Sequence, residues 1–194
     1  MAEKQKTGRA ELYSLLLLAG GKSSRMGEDK AELLLDGDSF LSCQIKKAEK
    51  LGIHKVYVSV HAAGADAFRN GTVKSSIHIQ MVPDIYRERG PLGGLHACMK
   101  AMDTPYCLVL PVDVPQFPEE TLEELLLAHE NSLGAAASEN AGSFGNGREG
   151  GNSGKPLLLV HGERTEPLMG IYPVCMADCI GEQIEKASAP VFRV

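Results

Sequence analysis

Two glycines and three basic residues follow the first apolar run of the chain, in the stretch LLLLAGGKSSRMGEDK. Gly20 and Gly21 end this run, and Lys22, Arg25 and Lys30 come soon after it. Because glycine has no Cβ and takes positive φ freely, the backbone amides of such a turn can approach an anion closely. The nearby cations would neutralise a polyphosphate and a pyrophosphate leaving group. The stretch predicts a phosphate-binding turn, and an ordinary turn with solvated charges is an equally good alternative when the stretch is taken alone.

A single carboxylate follows a second apolar run, in the stretch YCLVLPVDVPQFP. Asp113 stands between two valines and two residues before Pro115. A carboxylate at the end of a strand can bind Mg²⁺ directly, while substrate phosphates and water complete the octahedral shell. The alternative is an aspartate that stabilises a turn or caps a helix, which is the commoner role of an isolated aspartate.

The motif GPLGGL occupies residues 90–95 and begins six residues after Asp84. Taken alone, it predicts only a glycine-flanked turn that opens a helix. With the Gly20-Gly21 turn and Asp113 it makes three features that each follow a predicted strand. Such an arrangement in an α/β chain is typical of a nucleotide-binding transferase.

Short apolar runs alternate with amphipathic segments along most of the chain, which predicts an α/β fold. Helices are expected at residues 39–52, where Ser39 is the N-cap, at 93–102, from Pro118 onward, and at 176–187. Strands are expected at residues 15–19, 55–60, 77–82, 106–112, 156–160 and 169–174. We expect a single-domain, Rossmann-like fold with a mainly parallel twisted sheet and helices on both faces. Ligands of such folds bind at the carboxyl ends of the strands.

The length of 194 residues suits one domain, and no proline-rich or charged linker divides the chain. We expect a flexible N-terminal tail at residues 1–13 and a domain at 14–194 that contains a glycine-rich mobile loop at 139–155. A net charge of −5 argues against a general nucleic-acid or membrane surface. The five cysteines lack C-x-x-C spacing, which favours reduced thiols over a disulfide framework or a zinc site. The N-terminus resembles neither a signal peptide nor a membrane anchor, so a cytoplasmic location is expected.

Four stretches together resemble the MobA family, the molybdenum cofactor guanylyltransferases. They are LAGGKSSRMGEDKA, VPD followed by GPLGGL, LPVDVPQFP and EPLMGIYPV, and the resemblance covers about residues 14–188. It implies a nucleotidyltransferase fold. It also implies that the chain transfers GMP from GTP to the terminal phosphate of molybdopterin and releases pyrophosphate. Phosphoryl transfer needs positioning and charge neutralisation more than a protein nucleophile, and the sequence shows no evident nucleophile.

The resemblance also assigns roles to individual residues. Arg25, Lys30 and Asp113 would be catalytic, and Asp113 would bind the magnesium cofactor. This chain has Ser59 where the family commonly has asparagine, so that contact is expected to be lost or bridged by water. The implied nucleotide-binding residues are Leu18, Ala19, Gly20, Gly21, Lys30, Ser59, Asp84 and Asp113. Partners would be GTP and molybdopterin, together with other cofactor-biosynthesis proteins and the recipient molybdoenzymes.

Three other functions compete with this one. Two are related enzymes, a molybdopterin cytidylyltransferase and a sugar-phosphate nucleotidyltransferase. Relatives that use CTP tend to carry L-A-A-G, whereas this chain has L-A-G-G at residues 18–21, and the missing methyl leaves room for a purine, which favours GTP. The third is a non-catalytic module that binds nucleotide or cofactor. Retention of Arg25, Lys30 and Asp113 argues against that module, since a carrier needs no metal-binding aspartate.

Overall fold

A computed structural model describes residues 8–19, 33–35, 37–60, 77–84, 86, 90–139 and 155–187. Most of the predicted glycine-rich loop, at residues 140–154, lies outside these ranges. The phosphate-binding turn that carries Gly20, Gly21, Arg25 and Lys30 also lies outside the described residues.

In chain order the described strands are β1 (Tyr13–Leu18), β2 (Leu34–Leu35), β3 (Asp38–Ser39), β4 (Lys55–Val60), β5 (His78–Pro83), β6 (Tyr106–Pro111), β7 (Leu157–His161) and β8 (Arg164–Pro173). Six of them form one sheet in the order β5-β4-β1-β6-β8-β7. Four neighbouring strands, β5, β4, β1 and β6, are parallel, and β8 and β7 complete the sheet as antiparallel strands beyond β6. A separate two-stranded antiparallel hairpin consists of β2 and β3.

Helices cover both faces of this sheet. They are α1, described at residues 8–12, α2 (Phe40–Lys50), α3 (Pro91–Ala101), α4 (Glu119–Glu139) and α5 (Ala177–Lys186). Successive residues of a strand point to opposite faces, so Leu15 and Leu17 of β1 join a core with α2 and α4, while Leu16 and Leu18 join a second core with α3. The mainly parallel α/β fold predicted from the sequence is therefore confirmed.

Local sequence signals fix the ends of α2. The hydroxyl of Ser39 accepts a hydrogen bond from the Ser42 N–H at 3.1 Å, as predicted for the N-cap. Gly52 follows the helix with φ of 77°, a left-handed conformation that favours glycine. Between these ends, the apolar side of the helix packs against the sheet through Leu41, Ile45 and Ala48.

The N-terminal segment differs from the flexible tail predicted for residues 1–13. Residues 8–12 are helical, Arg9 is buried in ion pairs with α4, and Tyr13 is the first residue of β1. Among the helices in the described ranges, not one has the length and apolar character needed to cross a membrane.

Candidate nucleotide site

The carboxyl ends of four parallel strands lie in one row of the sheet. Leu18 of β1 pairs with Ser59 of β4 on one side and with Pro111 of β6 on the other, and Ser59 pairs with Val82 of β5. We call this row and the residues that directly follow it the nucleotide edge. It contains Leu18, Ala19, Ser59, Asp84 and Asp113.

Backbone hydrogen bonds extend the sheet one step past the strand ends. The Ala19 N–H donates to the Ser59 carbonyl at 3.2 Å, and the Val112 N–H donates to the Leu18 carbonyl at 3.2 Å. The Asp84 N–H donates to the Val60 carbonyl at 2.9 Å. These bonds fix the backbone positions from which the side chains of Asp84 and Asp113 extend.

Asp84 is held against the first turn of α3. Its Oδ1 accepts a hydrogen bond from the Tyr86 N–H at 2.8 Å. A Cβ on Gly93 would lie 2.5 and 2.8 Å from the two carboxylate oxygens, so only glycine lets the carboxylate sit where it does. The partial positive charge at a helix N-terminus stabilises a carboxylate in this position. The Tyr86 ring in turn contacts the buried His96 ring edge-on, with centroids 5.2 Å apart.

Ser59 faces α3 rather than the solvent. The residue is 2% exposed, and a Cβ on Gly94 would lie 2.1 Å from its hydroxyl oxygen. Gly94 therefore makes room for Ser59, as Gly93 makes room for Asp84. A contact between Ser59 and a nucleotide stays a prediction.

Asp113 is exposed and follows Val112 in the turn after β6. Because Val112 is bonded to Leu18, Asp113 lies beside the end of β1, where the predicted phosphate-binding turn begins. Its hard oxygen atoms suit Mg²⁺. Within the described part of the chain, no group of three or more His, Cys, Asp or Glu side chains could hold a metal ion.

The two aspartates follow strands that lie three steps apart in the order β5-β4-β1-β6. At a strand spacing of about 4.8 Å, three steps separate them by about 14 Å. Backbone positions about 14 Å apart do not bring two carboxylates onto one ion. The separation instead suits a ligand that lies across the strand ends, with Asp84 and Asp113 at its two ends.

Two side chains of α2, which sequence reasoning missed, support the turn that carries Asp113. Gln44 Nε2 donates to the Pro111 and Val114 carbonyls, and Lys47 Nζ donates to the Phe117 carbonyl.

Buried cysteines in the sheet and α3 are not nucleophiles. Burial, and secondarily the charge of Asp84, raises the pKa of Cys98 to about 12.

The comparisons with known proteins establish the family of the chain. The MobA-like NTP transferase domain matches residues 15–189. The chain belongs to the MobA-like NTP transferase family. The chain is 30% identical over 169 residues to a molybdenum cofactor guanylyltransferase from Rhizobium johnstonii. It is 32% identical over 165 residues to a molybdenum cofactor guanylyltransferase from Pseudomonas fluorescens.

The alignment with the Rhizobium protein covers 84% of this chain and 64% of the relative, and that with the Pseudomonas protein covers 84% of this chain and 68% of the relative. The chain thus spans about two thirds of the length of these relatives. The crystal structure of molybdopterin-guanine dinucleotide biosynthesis protein A from Archaeoglobus fulgidus is 20% identical, with a TM-score of 0.60. That match covers 90% of this chain and 74% of the other, and it confirms the fold.

Proposed function

We infer that this chain transfers GMP from GTP to the terminal phosphate of molybdopterin. The observation that carries the inference is the nucleotide edge, where Asp84 and Asp113 are held on either side of the end of β1. Relatives that align over 84% of the chain are named molybdenum cofactor guanylyltransferases, which favours this acceptor and this nucleotide.

The reaction joins two phosphates. An oxygen of the terminal phosphate of molybdopterin attacks the α-phosphorus of GTP, the bond between the α-phosphorus and the bridging oxygen breaks, and pyrophosphate leaves with that oxygen. The attacking group belongs to the substrate, so the protein has only to align the two phosphates and stabilise charge. In the proposal Arg25 and Lys30 neutralise the phosphates, and the backbone at Gly20 and Gly21 approaches them closely.

Asp113 is the proposed magnesium ligand, because it is an exposed carboxylate beside the end of β1. A bound Mg²⁺ would supply neutralising charge to the phosphates during the transfer. Asp84 is proposed to accept hydrogen bonds from the guanosine part of the nucleotide at the far end of the edge. A cytoplasmic location, and cofactor-biosynthesis proteins and molybdoenzymes as further partners, belong to the same proposal.

Turnover of purified protein tests the function directly. The chain is incubated with molybdopterin, Mg²⁺ and one of GTP, CTP or ATP, and released pyrophosphate is measured. Release should require GTP, molybdopterin and Mg²⁺ together. Tighter binding and faster turnover of CTP would instead support a cytidylyltransferase. Nucleotide binding without any pyrophosphate release would support a non-catalytic module.

Asp113→Asn separates the metal role from folding. Asparagine preserves the shape of the side chain, but its neutral amide is a poor ligand for a hard cation. Pyrophosphate release should fall by orders of magnitude while the unfolding midpoint stays near the wild-type value. Normal turnover of this variant, or normal wild-type turnover in excess EDTA, would show that Asp113 is only a turn residue.

A further inference from the structure

The turn that carries Asp113 has no regular secondary structure, so its shape depends on what packs against it. It runs from Val112 to Phe117, between β6 and α4. Its backbone bonds include Val112 N–H to the Leu18 carbonyl at 3.2 Å and Phe117 N–H to the Val114 carbonyl at 3.1 Å. Asp113 itself is exposed, so apolar packing does not hold its side chain.

Gln44 of α2 bonds to the backbone on both sides of Asp113. Its Nε2 atom donates to the Pro111 carbonyl at 3.3 Å and to the Val114 carbonyl at 3.2 Å. These two carbonyls stand before and after Asp113 in the chain, and the Gln44 side chain is fully buried. One buried side chain on a helix therefore connects the end of β6 to the middle of the turn.

Lys47 fixes the other end of the same turn. It lies one helical turn after Gln44, is 6% exposed, and donates from Nζ to the Phe117 carbonyl at 2.7 Å. Burial lowers the pKa of its ammonium group, an effect that the charge of Glu119 partly opposes. Gln44 and Lys47 belong to a helix that packs in the core. Together they hydrogen-bond to three carbonyls, at the end of β6, in the middle of the turn and at its end.

Stability alone gives little reason for these two polar side chains. The rest of the buried side of α2 is apolar, with Leu41, Ile45 and Ala48. Gln44 Oε1 is buried and has no hydrogen-bond partner among the described residues, which is unfavourable. Burying the Lys47 ammonium is unfavourable as well. What the two residues provide that apolar ones could not is N–H donors aimed at the turn.

We propose that Gln44 and Lys47 are positioning residues that hold the 112–117 turn so that the Asp113 carboxylate stays at the nucleotide edge. This inference rests on the proposed function, in which Asp113 binds the metal. It goes further by assigning a role in metal and nucleotide binding to two buried residues of α2 that touch neither ligand.

Gln44→Met is the decisive variant, because it keeps the length of the side chain and removes both N–H donors together with the unsatisfied oxygen. Gln183→Met, at an exposed position of α5, is the matched control. Lys47→Met and the exposed neighbour Lys46→Met form a second pair. Three quantities are measured: amide hydrogen exchange at Val112 and Phe117, the unfolding midpoint, and binding of Mn²⁺ with GTP by electron paramagnetic resonance.

Gln44→Met and Lys47→Met should speed exchange at Val112 and Phe117 and weaken Mn²⁺–GTP binding by about tenfold, as expected for lost hydrogen bonds. Exchange in the strands and the unfolding midpoint of Gln44→Met should stay close to wild type, and both controls should change nothing. Unchanged exchange at the turn would overturn the proposal. So would a loosened turn with normal Mn²⁺–GTP binding, or faster exchange throughout the sheet, which would indicate a purely structural role.

Mn²⁺–GTP binding and pyrophosphate release, measured side by side, separate this proposal from the proposed function. Wild-type protein that binds Mn²⁺–GTP but releases no pyrophosphate with molybdopterin would refute the transfer reaction, and the variants would still decide the positioning role. Equal affinity of wild type and Asp113→Asn for Mn²⁺–GTP would overturn both the metal role and the positioning role.

Discussion

Replacing Arg9 with methionine is expected to destabilise the fold substantially. Arg9 is 1% exposed and donates to Glu130 at 2.6 and 3.3 Å and to Glu123 at 2.8 Å. It also donates to the Leu51 carbonyl at 3.2 Å. Burial alone would lower the pKa of the guanidinium, but the hydrogen bonds and charges of the two glutamates raise it overall. The group is therefore charged at every pH at which the protein is folded.

The size of the effect follows from what methionine leaves behind. Removing one partner of a fully buried ion pair costs about 3–5 kcal/mol, because the remaining charge is uncompensated. The side chains of Glu130 and Glu123 are 17% and 33% exposed, so water can solvate part of their charge. We therefore expect a loss of about 2–4 kcal/mol in the free energy of unfolding. In a domain of this size such a loss lowers Tm by about 4–16 °C.

Urea and thermal unfolding of Arg9→Met, Glu130→Gln and the double variant would give both the loss and the coupling energy of the pair. Lys46→Met is the control, because the Lys46–Asp38 pair is exposed at 56% and 46% and should contribute nothing measurable. A loss below about 1 kcal/mol for Arg9→Met, typical of a surface pair, would refute the reasoning.

Three further outcomes are expected. Gly93→Ala should displace the Asp84 carboxylate and raise the KM for GTP about tenfold with kcat unchanged, whereas Gly134→Ala, where a Cβ meets nothing, should change neither. Lys30→Ala should lose pyrophosphate release far more than stability, and near-normal turnover would contradict its phosphate role. Burial lowers the pKa of His129, so the unfolded chain binds the proton more readily. The free energy of unfolding should fall as pH drops through about 6.5, and His129→Gln should flatten that slope in urea titrations.

The sheet and most helices could be predicted because their signals are local. The strand at residues 55–60 has the predicted bounds, and Ser39 caps α2 as expected. The short strands β2 and β3 have two residues each, too few to show a periodicity. β8 begins at Arg164 rather than at the predicted 169, because residues 164–167 are exposed and are held by pairing with β7 rather than by burial.

The site could be predicted only as far as its residues stand at strand ends. Asp84 and Asp113 reach the nucleotide edge because strand ends in a parallel sheet share one side. The roles of Gly93 and Gly94 could not be derived from the sequence. Each glycine makes room for a side chain from outside α3, Asp84 or Ser59, and that side chain contacts α3 only in the folded chain. Gln44 was missed for the same reason, since its partners lie 67 and 70 residues away in the chain.

An aromatic cluster around His129 and the residues proposed to act on nucleotide lie at opposite ends of the same strands. Tyr13 and Tyr106, the paired first residues of β1 and β6, contact His129, and the Tyr13 hydroxyl is 2.8 Å from His129 Nδ1. Asp113 follows the far end of β6. Five strand steps of about 3.3 Å separate the two ends by about 17 Å, beyond the range at which substitutions usually interact. Stability and nucleotide binding should therefore vary independently: Arg9→Met should lower Tm equally with or without Asp113→Asn, and should leave the affinity for GTP unchanged at temperatures where it is folded.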